Sequence, residues 1–441
     1  MDNSQGNNSN TWQTVGAALI VGAITGAAWF AVRTPIGQPT VVAAPAAEPA
    51  REPAARGGDI SALLEVKPAP VESLPLLSAD ELGVCGQAVP RGALAEDQID
   101  KTLREAGAGA ALQTFAQQQL TDSDHARAVG LVLRMQADAN YGRGSDEGCR
   151  SPECWKEQTR VHAERVAPLL TELATLAANS TDPRVMMLAR DECAVLTADA
   201  APSPHCQALT ARRLVAIDRD NAVAWLALAA EEPAAIDEAL YQASLARRWD
   251  DYATASRAFI ERVDAKGGLR SMVVVQSLLA VPAIRPVEGQ QIVMKHCSAK
   301  PLTGDANRQQ LCEKIAHTLR ERSTSVTALV TAGAVAKALG SADAQAWGEQ
   351  GKLLNHVLLT RSLDDAAQTR EAQDCAVGLP RELLLRSARE GEVPALRALM
   401  QASGQSETQW REHMLAFEQA QAAGQITTTA SAGAASAPAT R

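Results

Sequence analysis

The chain runs to 441 residues with 51 acidic against 42 basic side chains, a formal net charge of −9. The lysines and arginines are scattered, which argues against a nucleic-acid or anionic-lipid surface on the body. Only 3% of the residues are aromatic, too few for platforms that stack bases or sugars.

After a short N-terminal tail, residues 1–11, residues 12–32 form an uninterrupted stretch of 21 residues without a charge. As a helix it would be about 31 Å long, the thickness of a bilayer core. Trp12 and Trp29 stand near its ends, where indole rings favour the headgroup region. A cleaved signal peptide would need a basic start and a nearby small-residue cleavage site, and neither is present. The expectation is an uncleaved single-pass anchor. Within it Ala18, Gly22 and Gly26 recur every fourth residue, a stripe on which two helices approach closely. A homodimer through this helix is therefore a candidate, against the ordinary abundance of glycine in membrane helices.

Residues 33–78 are rich in Pro and Ala and lack sustained periodicity, so they read as an extended tether. Residues 424–441 are low in complexity and read as a disordered tail. Between them, residues 79–423 read as helix after helix with almost no strand signal. Asp182-Pro183 and Ser203-Pro204 each place a side-chain oxygen at an N-cap and a proline at the first helical position. Helices are expected over 182–197 and 203–218, then 220–231, 233–247, 250–266, 286–297, 305–322, 325–339, 342–361, 380–389 and 406–422, with Gly340 as a C-cap. Short connections make successive helices antiparallel, and the length exceeds one simple bundle. The fold class expected is all-α, an α-solenoid-like array of helix hairpins.

Residues 214–231, LVAIDRDNAVAWLALAAE, resemble the junction between two tetratricopeptide repeats. One helix ends at Ile217-Asp218, and Asn221-Ala222-x-Ala224-Trp225 opens the next. Leu228 matches the family pattern, Ala229 stands at its glycine place, and Glu232 departs from its aromatic one. Asp343-Ala344-x-Ala346-Trp347 repeats the opening, with Gly351 and Leu354 at the glycine and aromatic places. The spacing of the two echoes is not a multiple of the roughly 34-residue period. The resemblance implies helical-repeat architecture and a surface for peptides or proteins, with no ligand residues marked.

All eight cysteines lie in the body. An even count at short spacings predicts disulfides and an oxidising compartment. Arg33, the basic residue that flanks the span, would by itself place the body in the cytosol; the cysteines weigh more. The expected location is the inner membrane of a Gram-negative envelope, with the C-terminal body in the periplasm. Antiparallel pairing of helices 182–197 and 203–218 sets Cys193 opposite Cys206. Cys297 and Cys312 are placed to staple the next such hairpin, Cys149 and Cys154 close locally in a loop, and Cys85 with Cys375 remain by exclusion.

His205-Cys206 and His296-Cys297 raise a zinc reading, but no CxxC occurs and adjacent helical residues point about 100° apart. No metal and no cofactor are expected. The nucleophile-elbow, zincin, P-loop and dinucleotide signatures are absent. The acidic pairs Glu231-Glu232, Asp250-Asp251 and Asp364-Asp365 read as caps and solvated faces. Arg247-Arg248-Trp249 reads as a helix C-terminus abutting the acidic start of the next helix. The function expected is a membrane-anchored scaffold or adaptor for another envelope protein. The alternative is an all-helical envelope hydrolase or lyase using acidic residues.

Overall fold

A computed structural model describes residues 78, 80–95, 98–141, 152–196, 203–252, 254–281, 286–368 and 381–422. The expected span with Ala18, Gly22 and Gly26, the tether up to residue 77 and the tail 424–441 lie outside the described residues. No helix among the described residues is long and apolar enough to cross a membrane.

The body opens with a β-hairpin that was not expected, β1 (Glu81–Val84) antiparallel to β2 (Gln87–Pro90). Its two-residue turn is Cys85-Gly86, with φ of 46° and 77°, the pair of left-handed residues that a type I′ turn requires. Cys85 is fully buried, and its carbonyl accepts the Gly268 N–H at 3.2 Å. Four-residue strands are too short to display an alternation, so the turn was the available signal.

The rest is mostly helix. The first group is α1 (Ile99–Glu105), α2 (Ala108–Gln119), α3 (Asp124–Tyr141), α4 (Pro152–Asn179) and α5 (Pro183–Leu196). The expected helix 203–218 is broken into α6 (Pro204–Gln207) and α7 (Ala211–Ile217). Thr210 interrupts it: its backbone is extended and its side chain accepts the Arg213 N–H, capping a new start. Next come α8 (Ala222–Glu231), a 3-10 turn Pro233–Ala235 and α9 (Ile236–Leu245). The helix expected over 250–266 is replaced by a loop and a 3-10 segment, Ala255–Arg262. Tyr252 has a φ of 57°, which no right-handed helix accommodates.

The chain continues through α10 (Gly268–Ala280), α11 (Pro286–His296), α12 (Ala299–Leu302), α13 (Ala306–Arg322), α14 (Val326–Ala338), α15 (Ala344–Gln368), α16 (Arg381–Glu390), α17 (Glu392–Ala402) and α18 (Glu407–Ala422). The local signals act as caps. Asp182 accepts the Arg184 N–H at 2.9 Å and Ser203 that of Cys206 at 3.3 Å. Gly340, at φ 71°, ends α14, and the Ser341 N–H reaches back to the Ala336 carbonyl at 3.0 Å, satisfying an end carbonyl.

There are three apolar cores, and the first two interleave along the chain, the first taking residues 252–281 and Leu384 as well as earlier segments. The first includes Leu131, Leu173, Met186, Ile260 and Leu278; the second Leu226, Leu240, Trp249, Ile315 and Leu319; the third Leu329, Leu354, Val357, Leu396 and Trp410. Helices with two apolar faces join them. α8 gives Ala224 and Leu228 to the first core and Val223 and Leu226 to the second. α14 gives Ala328 and Ala332 to the second and Val326 and Leu329 to the third. Both helices are apolar almost all round, the pattern of a helix covered on both sides.

Disulfides join Cys193 to Cys206, α5 to α6, with Cα atoms 5.7 Å apart, and Cys297 to Cys312, the end of α11 to α13, at 5.5 Å. Two such bonds point to an oxidising compartment. Cys154 is also disulfide-bonded; its expected pairing with Cys149, and that of Cys85 with Cys375, involve positions outside the described residues.

Candidate functional site

Several connections between helices lie side by side and are bonded backbone to backbone. The Arg247 and Arg248 N–H groups donate to the Asp220 carbonyl at 3.0 and 3.2 Å, and the Ala222 N–H donates to Arg248 at 3.0 Å. The Trp249 N–H reaches the Arg322 carbonyl at 3.4 Å, and those of Glu392 and Val393 reach Thr324 at 2.7 and 3.1 Å. Four connections, around residues 220, 248, 323 and 392, therefore form one seam. Glu392 reinforces it, accepting the Val326 N–H at 3.1 Å on one carboxylate oxygen and Arg257 at 3.3 Å on the other.

A buried polar network organises the first two connections. Asn221, with no exposed surface, shares its two amide hydrogens among Asp218 at 2.9 Å, the Asp250 carbonyl at 2.8 Å and the Tyr252 hydroxyl at 3.1 Å. Its amide oxygen accepts the N–H groups of Val223 at 3.2 Å and Asp250 at 3.1 Å. The Tyr252 hydroxyl and the Arg248 guanidinium both donate to Asp218. Burial, with the bond to Asp218, raises the Tyr252 hydroxyl above its ordinary pKa. Asp250 is also raised, chiefly by burial. The left-handed backbone at Tyr252 is the strained element that turns its ring back onto this network.

Beyond Tyr252 lies a small cleft. His125, from the first turn of α3, faces Arg184, Met187, Leu188 and Asp191, which recur at helical spacing on one face of α5; Asp251, Tyr252, Ala255 and Ser256 close the other side. Its interior of about 10 Å³ admits roughly one water molecule. Arg184 is turned toward Asp182, donating at 2.9 and 2.6 Å. Burial opposes ionisation of Asp182, yet the Arg184 bonds outweigh it and hold the carboxyl below its usual value. His125 is pushed down to about 4 by burial and by Arg184, so its imidazole is neutral at pH 7. Next along α5, Glu192 keeps part of its surface in solvent, but burial around its carboxyl and the charge of Asp191 push it up to about 8.

The cleft does not assemble a nucleophile and base. The Ser256 hydroxyl donates to the Leu278 carbonyl at 2.8 Å, away from His125, whose ring instead contacts Phe259 at 5.2 Å between centroids. No group of three or more His, Cys, Asp or Glu among the described residues could hold a metal ion. The thiols of both His-Cys pairs, Cys206 and Cys297, are in disulfides.

Two expectations from the sequence fail. Asp250-Asp251 is not a solvated face: Asp251 is buried and Asp250 sits in the network. Arg247-Arg248-Trp249 is not a helix end: it is the middle of the seam, with Trp249 fully buried. The stripe 184/187/188/191 was visible in the sequence as helical periodicity. Nothing in the sequence said that the loop after α9 would cover it. The two tryptophans of the sequence echoes serve packing. Trp225 donates to the Arg219 carbonyl at 2.8 Å, and Trp347 is buried beneath the Arg320 guanidinium, 4.6 Å from its ring centre.

No family model, curated protein or solved structure matches the chain.

Proposed function

We propose that the chain is a membrane-anchored periplasmic scaffold whose helical body, an α-solenoid-like array of stacked hairpins, binds another protein of the cell envelope. The observation that carries this reading is the seam. Four inter-helix connections bonded side by side, over cores that share α8 and α14, support a body built of stacked hairpins, and such bodies offer long side surfaces to proteins. The anchor at residues 12–32 and the tether behind it would hold that body away from the bilayer. The disulfides support the exported location. The hydrolase or lyase reading is the weaker one, because the cleft that gathers acidic groups has room for about one water.

The test is site-specific photo-crosslinking in intact cells from Tyr241 and Leu245, which lie one turn apart on α9 and are 48% and 51% exposed. The scaffold reading expects discrete cross-links to an envelope protein. No cross-link from these or other exposed positions, with turnover of an envelope polymer by the purified chain, would reverse the ranking.

A further inference from the structure

The three cores close on themselves. α8 joins the first core to the second and α14 the second to the third, and α16 carries the chain back from the third to the first. Leu383 lies in the third core, while Leu384 lies in the first, whose other buried members end at Val281. α16 rests against the 3-10 segment Ala255–Arg262. Two arginines grip this joint from opposite sides. Arg257, on the 3-10 segment, donates at 2.9 Å to the hydroxyl of Ser387, 130 residues further on in α16, and at 3.3 Å to Glu392, the first residue of α17. Arg381, the first residue of α16, donates to the carbonyls of Glu261 and Val263, both at 3.1 Å.

This joint is the thinnest of the three. α8 gives three buried apolar residues to each core it joins and α14 gives four and two, whereas α16 gives one to each. Little apolar area is therefore covered when α16 seats. The polar side is incomplete as well: Arg257 Nε and Arg381 Nη1 are buried without a hydrogen-bond partner among the described residues, and a buried donor left unmet opposes closure. Sub-global opening takes place where such contacts are fewest.

We propose that α16 is a releasable clasp: it closes the array into a ring, and the ring opens there, the third core with its α16–α17 hairpin leaving the first while the joints at α8 and α14 hold. Opening uncovers Leu384 on one side and the 3-10 segment on the other. A closed ring fixes the curvature of the array, and an open one frees it. The clasp is a property of the fold and does not rest on the scaffold reading.

Hydrogen exchange of the full chain, read by mass spectrometry, tests it. The amides of α16 are expected to exchange at least about tenfold faster than those of α8 and α14, because they open without global unfolding. Arg257→Ala should speed α16 by about a further tenfold, the loss of one charge-assisted bond, and leave α8 unchanged. Its former partners keep other bonds, Ser387 to the Leu384 carbonyl at 2.7 Å and Glu392 to the Val326 N–H at 3.1 Å, so the loss falls on the joint. Arg381→Gln, on the other side of the joint, gives the same comparison without touching Glu392 and serves if the Arg257 variant does not fold. α16 exchanging as slowly as α8 in the unsubstituted chain overturns the proposal. Fast exchange in α16 that neither substitution changes, the mark of a helix that merely frays, also overturns it, and so does a substitution that speeds α8 as much as α16, the mark of a brace for the whole body.

Discussion

Asn221 and Asp250, 29 residues apart, meet as if they were neighbours in a sheet: the Asn221 side-chain amide donates to the Asp250 carbonyl at 2.8 Å and accepts the Asp250 N–H at 3.1 Å. One side chain thus satisfies both backbone groups of a residue in a loop that must be buried against the first core. The same amide caps α8 and holds Asp218 and Tyr252 in place.

Replacing Asn221 by Ala is expected to destabilise the body by about 2–4 kcal/mol, because it leaves several buried polar groups without partners at once. Asn221→Asp should also destabilise, since it removes the amide donors and sets a second carboxylate beside Asp218. Urea unfolding followed by circular dichroism measures both, and an Asn221→Asp variant as stable as the parent would contradict this role.

The disulfide at Cys297 and Cys312 spans a sequence separation of 15, for which the chain-entropy account gives about 3 kcal/mol. The double substitution to Ala should lower stability by about that amount, and added reductant should then shift the variant's unfolding less than the parent's. The same experiment at Cys193 and Cys206 should loosen α6 against α5.

Stability should vary with pH in two opposed windows. Glu192 titrates near 8 in the native body against an ordinary 4.5, so the native state holds a proton that the unfolded chain has released. Stability therefore falls as pH rises from about 4.5 to about 8. His125 titrates near 4 against an ordinary 6.5. Here the native state refuses a proton that the unfolded chain accepts, so stability rises between about 4 and 6.5. Between 6.5 and 8 the Glu192 effect acts without the other, and Glu192→Gln should flatten the decline in unfolding midpoints measured across that range. An unchanged slope in the variant would show that the proton sits elsewhere.

Gly333 packs α14 against α15 so tightly that an added Cβ would stand 2.7 Å from the Gly348 Cα and 2.8 Å from its nitrogen. Alanine gains about 1 kcal/mol over glycine within an exposed helix. Here Gly333→Ala should instead cost about 1–3 kcal/mol, as overpacking does. Thermal unfolding gives the sign directly.

Helix-length apolar runs and their caps made most of the fold legible: Asp182, Ser203 and Gly340 act where their chemistry says they should. The cysteine pair 193/206 followed from placing residues at equal distances from a hairpin turn; for 297/312 the same placement set Cys312 a turn or two past the ideal partner, and the chain bonds them nonetheless. What stayed hidden depended on contacts between distant segments. Thr210 splits a helix whose composition would have continued through it, and Tyr252 takes a left-handed conformation that only its bonds to Asp218 and Asn221 justify. The β-hairpin was missed because its signal is a turn, Cys85-Gly86, docked onto residues 265–268 far along the chain. The cleft was half legible, as the stripe on α5; Asp251, which covers it, reads as surface until the loop after α9 carries it inward.

The most direct test of an exported, disulfide-stapled body is a thiol count on intact cells with a membrane-impermeant maleimide, before and after reduction, finished by denaturing lysis and mass spectrometry. Cys193, Cys206, Cys297 and Cys312 are expected to stay unlabelled until reduced and then to be labelled from outside the inner membrane. Thiols that are free without reductant, and shielded from the reagent until lysis, would contradict it and place the body in the cytosol.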